Sequence, residues 1–257
     1  MLLNKNNKDG IQSNDNDDLT NNKQHEHKII NYAFKNISSF NYKLNFNCLL
    51  ELNLNNNKLT RIPDNIFNLV NLKKLNLRRN KIIKINSQIH KLNNLDFFDI
   101  SYNFIKDTKP ITYLTNLQSL IINNNVIYNI DSNFYKLKKL RVLSIENNYI
   151  TNIPHNLTKM IRLKVLIICH NNISNIPNDM YKLLNLKVLD ISHNQITKLP
   201  VELGSIFNLR KFYSEYNKLN RTYTLSVLRC EWNKKKIYKI LYHRLPDDII
   251  YIILHYY

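Results

Sequence analysis

The chain has 257 residues, of which 44% are hydrophobic, and a formal net charge of +18. Its two glycines exclude glycine-rich phosphate-binding loops, and with them the usual nucleotide-dependent chemistry. Its three cysteines lie far apart, which excludes a disulfide framework and a paired zinc motif.

The first element in chain order is an asparagine-rich segment, residues 1–28, with few large apolar side chains. This composition predicts a disordered tail. Its first residues lack the apolar stretch of a secretory signal, and no run in the chain approaches the ~18 apolar residues of a membrane span. These observations and the cysteine usage favour an intracellular, cytoplasmic location in a reducing compartment.

Residues 29–48 are apolar again, but they show no register with the segment that follows. A repeat array needs atypical ends that cover its open core. We therefore expect residues 29–48 to form an N-terminal cap.

Residues 49–221 contain eight consecutive repeats of about 23 residues. They open at leucines 49, 72, 95, 117, 140, 163, 186 and 209. With the opening leucine counted as offset 0, apolar residues recur at offsets 3, 5, 10, 13, 17 and 20. Offsets 3 and 5 are two residues apart, so a short strand directs both into a shared core, while offsets 2, 4 and 6 face outward.

Offset 8 is asparagine in every repeat: Asn57, Asn80, Asn103, Asn125, Asn148, Asn171, Asn194 and Asn217. An amide side chain both donates and accepts hydrogen bonds, so a stacked row of asparagines can satisfy buried turn backbone. We assign this row a structural role.

The spacing L-x-x-L-x-L-x-x-N-x-L resembles the leucine-rich repeat. Proline follows offset 13 at Pro63, Pro154, Pro177 and Pro200, as in the intracellular subtype typified by Ras-pathway scaffolds. The resemblance implies an α/β solenoid, a horseshoe with a parallel sheet on its concave face, and protein binding as the usual activity. The third repeat is one residue short near Thr108, where we expect a kink or an altered loop.

Residues 222–257 return to apolar residues at helical spacing, which predicts a helical C-terminal cap. Residues 245–257 run Leu-Pro-Asp-Asp and then mostly apolar residues. This ending resembles the opening of an F-box, which implies recruitment of a ubiquitin-ligase component. Both interpretations of this segment, a helical cap and a recruitment box, are compatible with the sequence.

The concave face is our candidate partner-binding surface, because its middle rungs are apolar and its margins carry arginine and aromatic residues. β-Branched residues also favour strands without any binding role. The candidate residues are Arg78, Arg79, Phe97, Asp99, Tyr102, Ile121, Val142, Val165, Ile167, His170, Val188, Asp190, His193, Tyr213 and Tyr216.

Cys169, His170 and His193 fall on adjacent rungs, which raises a metal or nucleophile hypothesis. No fourth ligand is evident, and an open strand face offers no oxyanion hole. We therefore expect no metal, no cofactor and no enzymatic activity.

Lys91, Lys136, Lys159 and Lys182 share offset 19. A solvated flank is the simpler interpretation, since the aromatic interleaving typical of single-strand nucleic-acid binding is absent there. The sequence thus favours a non-enzymatic protein-interaction scaffold of unidentified partner. A ubiquitin-ligase substrate receptor is the first alternative. An electrostatic binder of nucleic acid or anionic membrane is the second, with nucleic acid the less favoured.

Overall fold

The computed structural model of the chain describes residues 28–40 and 48–219. Within these two ranges, nine three-residue strands form one parallel sheet whose strand order follows the chain. The strands are β1 (Ile29–Asn31), β2 (Glu51–Asn53), β3 (Lys74–Asn76), β4 (Phe97–Asp99), β5 (Ser119–Ile121), β6 (Val142–Ser144), β7 (Val165–Ile167), β8 (Val188–Asp190) and β9 (Lys211–Tyr213).

The sheet register follows the repeat period, because each strand pairs with the equivalent residues of the next. Leu52 lies opposite Leu75, and Leu143 lies opposite Leu166. These central strand residues occupy offset 3 and are almost fully buried. The predicted parallel sheet is therefore confirmed.

The return segments on the convex side are short 3-10 helices of five residues each. They are η1 (Asp64–Asn68), η2 (Ser87–Lys91), η3 (Lys109–Tyr113), η4 (Ser132–Lys136), η5 (His155–Lys159), η6 (Asn178–Lys182) and η7 (Val201–Ser205). The helical content of the expected α/β solenoid is limited to these single turns within the described residues. The predicted cap at 222–257 lies outside them.

Proline explains where several of these helices begin. Pro63, Pro154 and Pro177 precede η1, η5 and η6 with φ of −61°, −66° and −57°, close to the value that the proline ring fixes. Where proline is absent, a side chain caps the helix instead. The Asn86 side chain accepts a hydrogen bond from the Gln88 amide at 3.0 Å, and Asp131 accepts one from Asn133 at 2.8 Å.

The short third repeat alters its loop and leaves the sheet unchanged. β4 and β5 stay in register, with Phe97 opposite Ser119. The chain is shortened immediately before η3. Thr108 there has helical φ and ψ of −98° and −5°, whereas the residues that precede the other 3-10 helices are extended. The buried Thr108 hydroxyl then accepts a hydrogen bond from the Asp131 amide at 3.2 Å. The expected altered loop is present, and the kink is local.

One continuous hydrophobic core runs along the described residues from Ile37 to Phe212. Every repeat contributes its leucines and isoleucines, and removing each such side chain from water stabilises the fold by roughly 1.5–3 kcal/mol. A single repeat leaves this face open, so stability depends on stacking.

The segment expected to cap the N-terminus contains a further rung. β1 pairs with β2, so that Ile30 lies opposite Leu52. Ile37 and Phe40 are buried in the same core. The sequence indicated no register here, because Lys35 stands where the repeats have asparagine and His27 where they have leucine.

Candidate functional site

The asparagine row at offset 8 closes the side of the sheet where the strands end, which we call the carboxyl edge. The Asn80 amide nitrogen donates to the carbonyls of Leu54 and Leu77, both at 3.0 Å, and its oxygen accepts from the Leu59 amide at 3.0 Å. Equivalent bonds recur from Asn57 to Asn217. Each side chain thus links the turn of its own repeat to the repeat before it.

Offset 7 immediately precedes this row and holds the left-handed backbone conformation in all eight repeats. The residues are Asn56, Arg79, Tyr102, Asn124, Asn147, His170, His193 and Tyr216, with φ between 52° and 57°. Left-handed backbone normally favours glycine or asparagine. Because the sequence has arginine, tyrosine and histidine here as well, sequence reasoning missed this conformation.

The left-handed turns stack the offset 7 side chains along the carboxyl edge. The rings of His170 and His193 are stacked with centroids 3.9 Å apart, and His193 and Tyr216 are stacked at 4.2 Å. Tyr102 lies under two guanidinium groups, those of Arg78 at 4.6 Å and Arg79 at 5.2 Å. Two aromatic clusters therefore border the concave face: one in the early repeats, with two arginines beside Tyr102, and one in the late repeats, formed by the stacked rings of His170, His193 and Tyr216.

A second apolar cluster, separate from the core, covers the concave side of β6 to β9. We call it the concave floor, and it consists of Val142, Val165, Ile167, Cys169, Val188 and Tyr213. The exposed fractions of these side chains are only 3–8%. Adjacent strands lie about 4.8 Å apart and the sheet curves inward, so neighbouring side chains shield one another. The floor is therefore less open to solvent than the sequence indicated.

The floor is also shorter than the apolar strip expected from the sequence. Phe97 and Ile121 lie outside it. The sheet register sets Ser119 between Phe97 and Val142, and Ser144 between Ile121 and Ile167. Two small polar residues thus interrupt the strip at β5 and β6.

Two carboxylates occupy equivalent positions on the concave side: Asp190 lies within the floor, between Ile167 and Tyr213, and Asp99 lies on β4, outside the floor. Asp99 accepts hydrogen bonds from the Ser101 amide at 2.9 Å and the Ser101 hydroxyl at 2.6 Å. Asp190 accepts the same pair from Ser192 at 3.0 and 2.7 Å. Burial raises the pKa of Asp99 above its ordinary value, although the hydrogen bonds from Ser101 and the charge of Arg78 act in the opposite direction.

Cys169 lies in the floor, and its environment opposes thiolate chemistry. Burial and the nearby carboxylates of Asp190 and Glu146 raise the pKa of its thiol far above the usual range. A thiol that stays protonated is neither a good nucleophile nor a metal ligand. Among the described residues, no group of three or more His, Cys, Asp and Glu side chains is placed to hold a metal ion.

Each of the four offset 19 lysines is the last residue of a convex 3-10 helix, and three of them make local contacts. Lys182 forms an ion pair with Asp179 at 3.5 Å, Lys91 donates to Gln88 at 3.0 Å, and Lys159 lies 5.4 Å from the Tyr135 ring centroid. Part of this row's hydrogen-bonding and cation–π capacity is thus used within the chain.

A second asparagine row lies on the opposite side of the sheet, where the strands begin, which we call the amino edge. At offset 22, Asn94, Asn185 and Asn208 donate to the carbonyl of offset 21 in the preceding repeat at 2.6–2.9 Å. The side chains are exposed. Sequence reasoning missed this row because lysine and arginine replace asparagine at Lys139 and Arg162.

Two family models of the leucine-rich repeat match the chain. One matches residues 49–105 and 161–219, and the other matches residues 139–160. Together they cover more than half of the 257 residues. No curated protein sequence matches the chain significantly.

Solved leucine-rich-repeat structures share the fold. A leucine-rich-repeat protein of Leptospira interrogans is 26% identical with a TM-score of 0.67, over 71% of this chain and 53% of that one. Internalin F of Listeria monocytogenes is 30% identical with a TM-score of 0.64, over 70% and 52%. The ectodomain of the Arabidopsis thaliana receptor kinase GASSHO1, in complex with CASPARIAN STRIP INTEGRITY FACTOR 2, is 28% identical with a TM-score of 0.61, over 67% and 22%.

The chain spans about half the length of the Leptospira protein and of internalin F. No helix among the described residues is long and apolar enough to cross a membrane. The matched repeat models, the nine-stranded parallel sheet and the asparagine row agree with one another, and the chain belongs to the leucine-rich-repeat family.

Proposed function

We propose that the chain is a non-enzymatic scaffold that binds a protein partner on the concave face of its late repeats. The concave floor carries this proposal. It is a second apolar cluster on the side of the sheet that does not face the core. Apolar residues are not needed there for folding, since the same positions in β2 and β3 hold Glu51 and Lys74 as an ion pair at 2.9 Å.

The border of the floor supports the same proposal. Tyr216 at the end of the His170–His193–Tyr216 stack has 76% of its surface exposed. Exposed aromatic side chains beside an apolar centre are typical of binding hot spots. The rigid stack would lose little side-chain entropy when a partner binds.

Ser119 adds a polar contact next to the floor. Its side-chain oxygen is buried on the concave side of β5 and has no hydrogen-bond partner within the part of the chain that the structure describes. A buried hydroxyl without a partner costs free energy, and a bound partner could supply the missing hydrogen bond. The matched receptor ectodomain, solved in complex with CASPARIAN STRIP INTEGRITY FACTOR 2, provides a precedent for binding by this repeat architecture.

The test is affinity capture from native lysate with mass spectrometry, using the full chain and two charge-matched double variants. Val165→Lys with Val188→Lys places two cations on the floor. Tyr113→Lys with Tyr181→Lys places two cations on the convex helices, where both tyrosines are exposed. We expect partners to be lost from the floor variant by at least about tenfold, the equivalent of one hot-spot residue. The convex variant should retain them.

Thermal unfolding of both variants controls for loss of folding. Equal capture by a folded floor variant would contradict the proposal. A third chain ending at Asn220 tests recruitment through residues 245–257. Ligase components that the full chain captures and the shortened chain loses would favour the substrate-receptor alternative.

A further inference from the structure

The amino edge of repeats 4–8 carries a concentrated basic surface that the repeat pattern does not explain. Its basic residues are Lys138, Lys139, Arg141, Arg162, Lys164, Lys187 and Arg210, and we call this group the basic edge. The segments that form it, residues 137–141, 160–164, 183–187 and 206–210, contain no Asp or Glu. The same offsets of repeats 1–3 contain Lys73 and Asp96, so the charge is confined to the later repeats.

The backbone brings four of these residues together on successive rungs. The Lys164 amide donates to the Arg141 carbonyl at 2.8 Å, Lys187 donates to Lys164 at 2.7 Å, and Arg210 donates to Lys187 at 2.8 Å. The row therefore extends for about 14 Å at the strand spacing of a sheet. The pKa of Lys164 is lowered, first by burial and then by the charges of Lys187 and Arg141, so the three charges are close enough to repel one another.

A row of exposed apolar residues runs beside these cations. Ile161, Leu184 and Phe207 occupy offset 21 of three successive repeats and are 62%, 53% and 64% exposed. The asparagine bonds at this edge fix their spacing, because Asn185 donates to the Ile161 carbonyl at 2.7 Å and Asn208 donates to Leu184 at 2.6 Å. Large apolar side chains in a row on the surface mark an interaction site.

We propose that the basic edge, with Ile161, Leu184 and Phe207, docks on the surface of an anionic lipid membrane. The cations complement the lipid phosphates and carboxylates, and the apolar side chains insert below them into the acyl boundary. This surface shares no residue with the concave floor, although Arg141, Lys164 and Lys187 directly precede floor residues in the chain.

The composition of the edge favours lipid over other polyanions. Single-stranded nucleic acid is held by cations together with aromatic side chains that stack on bases. Two of the three protruding residues here, Ile161 and Leu184, are aliphatic and offer no such stacking. A bilayer supplies both layers that the edge requires, negative headgroups and an apolar interior directly beneath them.

The experiment is cosedimentation of the full chain with vesicles of phosphatidylcholine alone and of phosphatidylcholine with phosphatidylserine at about three to one. We expect binding to the anionic vesicles and little binding to the neutral ones. Arg141→Gln, Arg162→Gln and Arg210→Gln combined should weaken the partition coefficient about 100-fold, at about fivefold for each cation lost. Ile161→Ser, Leu184→Ser and Phe207→Ser combined should weaken it by at least tenfold, because three apolar side chains that would be buried in the acyl boundary are lost.

The matched control removes three positive charges from the convex side, with Lys91→Gln, Lys136→Gln and Lys159→Gln. Its partition coefficient on anionic vesicles should lie within a few-fold of the wild-type value. Thermal unfolding shows whether each variant is folded. Equal binding to both vesicle types, or no binding, would overturn the proposal. So would an apolar-row variant that binds normally, or a single-stranded oligonucleotide or acidic peptide that binds more tightly than the vesicles.

Discussion

The carboxyl edge and the amino edge of the sheet both carry a row of asparagines, but the rows differ in burial and in regularity. At the carboxyl edge, offset 8 is asparagine in all eight repeats, and Asn80 and Asn148 are 7% and 6% exposed. At the amino edge, offset 22 is exposed, and repeats 4 and 5 have Lys139 and Arg162 instead of asparagine.

The difference follows from what happens to a backbone group that loses its side-chain partner. At the carboxyl edge the group is buried, and leaving it unpaired costs about 1–3 kcal/mol. At the amino edge water can replace the side chain. One edge is therefore fixed by folding, whereas the other is free to vary and can carry a function.

Asn148→Ala should break the buried row with the largest effect. The change removes the acceptor for the Ile127 amide, now at 3.1 Å, and the donor to the Ile122 and Ile145 carbonyls at 3.2 and 3.3 Å. We expect a loss of about 3 kcal/mol in the free energy of unfolding, measured by urea denaturation.

The neighbouring Asn147 provides the control. It is exposed, has φ of 53°, and its side chain bonds only to Asn124 in the adjacent repeat among the hydrogen bonds described. Glycine adopts positive φ without steric cost, so Asn147→Gly should change stability by no more than about 0.5 kcal/mol. Equal losses for the two variants would show that the row is not held by its amide hydrogen bonds.

The sheet and the carboxyl edge follow from sequence because burial restricts their residues. Apolar offsets 3 and 5 and the asparagine at offset 8 can be replaced only at high cost, so their period is visible without a structure. The strand at Ile29–Asn31 was not predicted because its segment lacks the asparagine of the repeat pattern. At the end of the stack, Lys35 takes the asparagine position, and one neighbouring repeat, through Asn57, supplies bonds to the Lys35 and Ile37 amides.

The concave surface could be predicted only in part, because side-chain exposure depends on sheet curvature and on neighbours across several rungs. Alternation correctly placed Val165 and Ile167 on the side opposite the core. It could not show that they would be only 4% and 3% exposed. The interruptions at Ser119 and Ser144 do follow from their offsets, because the strands pair in register. The left-handed backbone at His170 was also invisible, since its side chain does not indicate positive φ.

Asp99→Asn tests a buried carboxylate that lies near the carboxyl edge. Burial raises the folded-state pKa of Asp99, so between the ordinary value of 3.8 and the raised value the folded chain holds a proton that the unfolded chain has lost. This contribution stabilises the wild-type chain at low pH and is lost as the pH rises through the folded-state pKa. Relative to Asp99→Asn, the wild-type chain should therefore become less stable as the pH rises from about 4 through the folded-state pKa.

Urea denaturation of both chains across this pH range measures the difference. The hydrogen bond from the Ser101 hydroxyl lowers the pKa of Asp99. Ser101→Ala, in a chain that keeps Asp99, should therefore enlarge the loss of stability with rising pH and extend it to higher pH. A wild-type chain that instead gains stability over Asp99→Asn as the pH rises would mean that Ser101 and Arg78 outweigh burial.

Asn185→Ala should have the smallest effect, although its hydrogen bond to the Ile161 carbonyl is short at 2.7 Å. The side chain is exposed, so water can bond to the carbonyl after the change, and we expect a loss of about 0.5 kcal/mol in urea denaturation. A loss above about 2 kcal/mol would show that the amino-edge row contributes as much to the free energy of unfolding as the buried row does. A small loss would explain how Lys139 and Arg162 occupy this offset in a stable solenoid, since a position that folding leaves free can supply the charges of the basic edge.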